Sequence, residues 1–248
     1  NASSDFRQAY ALLDVYQKAA GRAGLPTDDE RTLQAQILRS QIENMRGKSH
    51  ESKALAGNAL NHARRLDSPL LIGASLRVLG SATRSAGHTH DALELFEEAL
   101  EQLEKVGATD LICRVNLHLT EILGSVGSWE KGEGHIQRAL KEATKLQSAY
   151  LIGQTHFYAA LLSWRKGNGD AASHHYGLAA RSFEEAGNRH GLADCTLATG
   201  QLARADGRYA EAEKGFHEAI EIYRSIGSGN DIGSMMELGL VHLDTGNY

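Results

Sequence analysis

The chain has 248 residues, of which 42% are hydrophobic and only 6% aromatic, with 26 glycines, two prolines and a formal charge of −5. That balance excludes a disordered tail and disfavours a β-sandwich, and its mild acidity argues against nucleic acid as the main partner, because phosphate binding needs a dense basic face. No apolar run reaches the roughly eighteen residues of a membrane span, and the N-terminus lacks the basic and apolar regions of a signal peptide, so a cytoplasmic protein with no membrane partner is predicted.

In chain order, residues 1–4 read as a disordered tag remnant and residues 5–23 as a lone helix carrying Leu12, Tyr16 and Ala19 on one face. Gly24-Leu-Pro-Thr-Asp-Asp breaks it, and Thr27 or Asp28 is placed to cap the next helix. Helix pairs are then predicted over 28–66, 69–106, 109–146, 149–186 and 189–226, with a final unpaired helix over 231–245. Residues 5–248 thus form a single array, and both prolines, Pro26 and Pro69, fall between helices.

A period of forty residues underlies this division. It links Gly47, Gly87, Gly127, Gly167 and Gly207, and a last step of thirty-nine reaches Gly246. Seven residues ahead of each lies a small residue: Ser40, Gly80, Thr120, Ala160, Gly200 and Gly239. Twelve residues after come Ala59, Ala99, Ala139, Ala179 and Ala219, and nine after come Ala56, Phe96, Ile136, Tyr176 and Phe216. Such self-similarity signals a solenoid.

Gly80, Gly87, Ala92, Phe96 and Ala99, and again Gly200, Gly207, Tyr209, Ala212, Phe216 and Ala219, resemble the tetratricopeptide repeat. The match departs from that family in its period, usually about 34 residues, and in lacking an early tryptophan and a late proline. The resemblance implies an all-α, right-handed α-solenoid of antiparallel helix pairs, of the longer kind found in bacterial signalling and transcription regulators. Tyr248 stands where Tyr209 stands one repeat earlier, so another helix is expected to follow and the chain to be a piece of a longer protein.

No catalytic, metal or cofactor site is predicted. None of the twelve histidines forms His-Glu-x-x-His, no Cys-x-x-Cys occurs, and Cys113 and Cys195 read as reduced core thiols. Gly167-Asn-Gly-Asp-Ala-Ala172 matches a dinucleotide pattern but follows a helix, not a strand. An enzyme is therefore the least supported class.

By resemblance, first helices line a concave groove and second helices face outward. The groove candidates are Arg77, Arg84, Arg114, Glu121, Phe157, Trp164, Arg165, Gln201 and Arg204. First helices two to five carry seven basic against four acidic residues, whereas residues 88–106 carry six acidic against one lysine. A protein or peptide partner, acidic or carboxylate-bearing, follows. Phe157 and Trp164 share a helical face and are either partner anchors or packing between repeats. The expected function is a non-enzymatic protein- or peptide-binding scaffold, the regulatory or sensory region of a larger signalling or transcription-regulatory protein. Alternatives are homodimerisation through Met235, Met236, Leu240 and Leu243, and small-ligand sensing near Trp164.

Overall fold

A computed structural model describes residues 11–15, 18, 19, 22 and 29–246. Of the lone helix predicted over 5–23, residues 11–15, 18, 19 and 22 are helical; Tyr16, the rest of that segment, residues 1–4, Thr27, Asp28 and Tyr248 lie outside the described residues.

The remaining helices are α1 (Glu30–Met45), α2 (Ser49–Arg65), α3 (Pro69–Ser85), α4 (Thr89–Val106), α5 (Thr109–Ser125), α6 (Trp129–Lys145), α7 (Ala149–Arg165), α8 (Gly169–Glu185), α9 (Arg189–Ala205), α10 (Tyr209–Ser225) and α11 (Asp231–Thr245). There is no strand among the described residues. The all-α class of antiparallel helix pairs expected from the sequence is what is found.

Local chemistry starts and stops these helices. At α1 the cap is Asp29, whose carboxylate accepts from Arg31 N at 3.0 Å, rather than either of the two residues before it. Asn168 and Asn188 cap α8 and α9 in the same way, accepting from Ala171 N and Gly191 N. At the other end, α3 closes with His88 N donating to Thr83 O and Gly87 N donating to Arg84 O, at 3.1 and 2.9 Å. That double closure requires a left-handed residue, and Gly87 has φ +89°. A second series, unnoticed in the sequence, ends the second helices: Asp67, Gly107, Gln147, Gly187 and Gly227 all have positive φ.

The residues divide into two compact units, one ending at Ile122 and the other starting at Leu123, within α5. In the N-terminal unit α1 packs on α2 and α3, α2 on α3, and α3 on α4. In the C-terminal unit each helix from α6 to α11 packs on the next, and the first helices α7, α9 and α11 also touch in turn. Within either unit the backbones of successive second helices do not pack together, although Arg64 on α2 reaches Glu98 on α4 at 2.7 Å.

In the C-terminal unit the buried residues form small clusters, each held between two or three helices. The periodic alanines Ala59, Ala99, Ala139, Ala179 and Ala219 are all fully buried. Phe96 and Phe216 are fully buried too, and their rings fill the space where a side chain on Gly80 or Gly200 would lie. Small residue and aromatic plug are thus one device, which lets two helices approach as closely as their backbones permit.

Candidate binding surface

The N-terminal unit brings four of the predicted groove residues onto the walls of its first helices. Arg77 and Arg84 lie two turns apart on one face of α3, and Arg114, His118 and Glu121 recur at helical spacing on α5. Successive first helices are joined by polar contacts. Arg77 donates to Gln41 Oε1 at 3.0 Å, Asn44 Nδ2 donates to Ser81 Oγ at 3.0 Å, and Arg84 Nη1 donates to Glu121 Oε1 at 2.9 Å. Arg114 grips both oxygens of Asp110, one turn earlier on its own helix, at 2.9 and 3.2 Å.

Arg77 differs from the other two arginines. It is only 8% exposed, and it makes no ion pair among the described residues. Burial, then the neighbouring charge of Arg114, lowers its pKa to about 10, against an opposing pull from Asp110. His118 stacks on Phe96 with ring centroids 4.8 Å apart. Its imidazole is pushed down to about 3, first by burial and then by Arg77, Arg84 and Arg114. The charges of three guanidinium groups thus reinforce burial in keeping this imidazole neutral.

In the C-terminal unit Phe157 and Trp164 are half-buried, packed against Ala160, Ala172, Tyr176, Ala198 and Leu202 of α7, α8 and α9. Phe157 meets Tyr176 edge-on at 5.4 Å. Both aromatics thus serve the packing between helix pairs and keep one side open. Gln201 donates to Glu237 at 2.8 Å, and Arg204 pairs with Glu237 and Asp244 at 3.3 and 3.1 Å, which commits both to α11. Arg165 is exposed, its Nη1 3.4 Å from where a Cβ on Gly124 would stand.

Sequence reasoning missed a network centred on Asp194. His190 Nδ1 lies 3.1 Å from one carboxylate oxygen, Tyr223 donates to the other, and Asn230 reaches His190 Nε2 at 3.1 Å. The Asp194 hydrogen bond, ahead of an opposing burial effect, raises the His190 pKa. The only signal for it is the i, i+4 spacing of His190 and Asp194; Tyr223 and Asn230 come from α10 and the turn after it. Among the described residues no three His, Cys, Asp or Glu are placed to hold a metal ion, and no helix is long and apolar enough to cross a membrane.

No protein-family model matches the chain, and no curated protein matches it. Solved structures do. BtubC (BKLC) from P. vanneervenii superposes with a TM-score of 0.67 at 17% identity, over 91% of this chain and 92% of that one. A Signal Transduction ATPase with Numerous Domains (STAND) protein with a tetratricopeptide repeat sensor, from Pyrococcus horikoshii, gives 0.68 at 19% identity, over 98% of this chain and 37% of that one. A Rap protein complexed with Competence and Sporulation Factor gives 0.67 at 18% identity, over 90% of this chain and 59% of that one. At such identities the likeness shows the fold, and the fold is a tetratricopeptide-like helical repeat.

Proposed function

We propose that the chain binds a protein or peptide segment along the first-helix wall of its N-terminal unit, and that a carboxylate-bearing segment suits that wall. The observation that carries this reading is the pair Arg77 and Arg84 on one face of α3, with Arg84 reaching Glu121 on α5, where their charges and that of Arg114 reinforce burial in holding His118 neutral. A carboxylate entering such a field gains charge-assisted hydrogen bonds from planar donors. No bond-making chemistry is assigned to the chain.

A regulatory or sensory role in a larger signalling protein draws support from the comparisons. One similar structure contains a repeat sensor beside an ATPase, and another holds Competence and Sporulation Factor. Both likenesses are of fold, so the role remains part of the proposal.

The test is fluorescence anisotropy with matched acidic, neutral and basic labelled peptides. Acidic peptides bind, the binding weakens as salt rises, and Arg77→Met with Arg114→Gln lowers it about tenfold. Equal binding of all three peptide classes, or acidic binding indifferent to the two substitutions, defeats the reading.

A second reading has its own observation. On α11, Ile232, Met236, Leu240 and Leu243 are 60%, 68%, 41% and 56% exposed, an apolar face suited to self-association. Light scattering across a concentration series decides it: a constant monomer mass eliminates this reading.

A further inference from the structure

Half-buried between α7 and α8, two imidazoles meet edge to edge. His156 Nδ1 and His175 Nδ1 stand 3.3 Å apart, while the ring centroids are 5.4 Å apart and the ring planes 22° from parallel. The nitrogens are nearer than the ring centres, so both Nδ1 edges turn inward. At that separation the contact is long for a hydrogen bond from an N–H donor, which spans about 2.7–3.2 Å.

Packing does not call for these rings. In the second helix pair the same two places hold Leu76 and Leu95, and Leu76 is fully buried. In the fifth pair they hold Thr196 and Gly215. The crossing thus forms with an aliphatic pair or with almost no side chain, and two imidazoles are a departure from the column. His174 stands exposed beside His175, with ring centroids 5.7 Å apart. Burial, reinforced by the neighbouring histidines, pushes the pKa of both His156 and His175 below the ordinary value, so both are neutral near pH 7.

A neutral imidazole is a metal ligand, and the separation selects the metal. Tetrahedral zinc holds each nitrogen at about 2.0–2.1 Å, which puts two such nitrogens about 3.3–3.4 Å apart. Ions that prefer right-angle geometry bring neighbouring nitrogens to about 2.8–3.0 Å at similar bond lengths. The observed 3.3 Å is the tetrahedral edge. A swing of each ring about Cβ–Cγ, a soft torsion in histidine, aims both lone pairs at one point.

We propose that His156 and His175 bind a zinc ion through their Nδ1 atoms. Both rings are then the Nε2–H tautomer: the hydrogen between the two nitrogens moves through solvent to the far nitrogen of its own ring, and no net proton is lost. Among the described residues no third His, Cys, Asp or Glu completes the set, so water fills the two remaining positions. The site lies wholly in the C-terminal unit and shares no residue with the arginine-rich wall, so the two readings stand or fall separately.

Titration calorimetry of the whole chain with zinc chloride, at up to about 1 mM, tests the proposal together with multiple-bond nitrogen spectra of the histidine rings. Zinc binds, the Nδ1 resonances of His156 and His175 move, and nickel, which favours right angles, binds at least about tenfold more weakly. His156→Leu with His175→Leu installs the pair found at Leu76 and Leu95; circular dichroism shows that it folds, and the site no longer binds zinc. His156→Gln alone, a milder change, weakens binding by at least about tenfold, the loss that follows removal of even an outer-shell partner. Absence of zinc binding, zinc binding undiminished in either variant, ligation of these rings through Nε2, or nickel binding as tightly as zinc overturns the proposal; zinc held only at other histidines is an adventitious ion only and overturns it equally.

Discussion

Gly191→Ala and Gly177→Ala add the same methyl group to helical glycines of the same unit, and the structure requires opposite outcomes. On α9, a Cβ at Gly191 would stand 2.7 Å from Cγ and Cδ2 of Phe183, far inside the 3.5–4.0 Å of a good carbon contact. The Phe183 ring has no retreat toward α7, because Gly153 is pressed against it there, with a Cβ site 2.8 Å from Cδ1 and 2.9 Å from Cε1. Overpacking of this kind costs about 1–3 kcal/mol, offset by up to about 1 kcal/mol from exchanging glycine for alanine in a helix. The net expectation is a loss of about 1 kcal/mol, with about 2 kcal/mol as the upper end. At Gly177 nothing lies within 4 Å, so only the helical gain remains, about 0.5–1 kcal/mol. Urea unfolding followed by far-UV circular dichroism measures both. Adding Phe183→Leu to each variant completes a double-mutant cycle, and a coupling of about 1 kcal/mol is expected with Gly191→Ala and none with Gly177→Ala. Stability changes of the same sign at both glycines, or equal coupling to Phe183, would refute the account of small residues as seats for aromatic plugs.

Gln147 has φ +51° in a turn where the equivalent positions hold Gly107, Gly187 and Gly227. Relief of that strain, less the greater freedom of unfolded glycine, makes Gln147→Gly about 0.5–1 kcal/mol more stable in thermal or urea unfolding. Two histidines impose opposite pH slopes. The pKa of His190 is raised by Asp194, so its contribution is complete below its ordinary value of about 6.5 and is lost as pH rises through the higher folded value. His118 is pushed down to about 3, so its contribution is complete above about 6.5 and is lost as pH falls toward the folded value. Urea midpoints across about pH 4–8 should therefore flatten on the alkaline side in Asp194→Asn and on the acid side in His118→Gln. Arg77→Met removes a buried guanidinium that has no carboxylate partner, and stability should stay within about 1 kcal/mol of wild type or rise; a loss of about 3 kcal/mol or more would mean that Arg77 carries a structural ion pair.

Much of the fold was legible because one physical requirement recurs at fixed spacing. Each first-helix end needs a left-handed residue, and each close crossing needs a small residue facing a plug, so glycine, alanine and phenylalanine mark the period openly. The companion series at the second-helix ends was hidden for the same reason in reverse. Asp67 and Gln147 occupy left-handed positions without being glycine, so composition does not flag them. The candidate binding surface was less legible, because side-chain partnership across helices has no local signature. Arg84 and Arg204 look alike in the sequence, as do Gln41 and Gln201. In the fold each arginine faces a carboxylate of the next first helix, whereas Gln41 accepts from Arg77 and Gln201 donates to Glu237.

Repetition also shows where function can be sought. A residue that obeys its column is accounted for by packing, as Ala99 and Phe216 are, and carries little information about partners. Departures from the column are different: Tyr176 puts a hydroxyl where Phe96 and Phe216 have none, and Gly215 stands where His175 and His135 would close the space. Arg77 departs in another way, as a buried charge at a place where Leu117 and Leu197 keep the equivalent position apolar. Each of these substitutions removes stability that the neighbouring repeats retain, by leaving a polar group unmatched or a volume unfilled. A fold able to form without them has no structural use for them, which is why the arginine-rich wall is assigned there and not to the residues that keep the period.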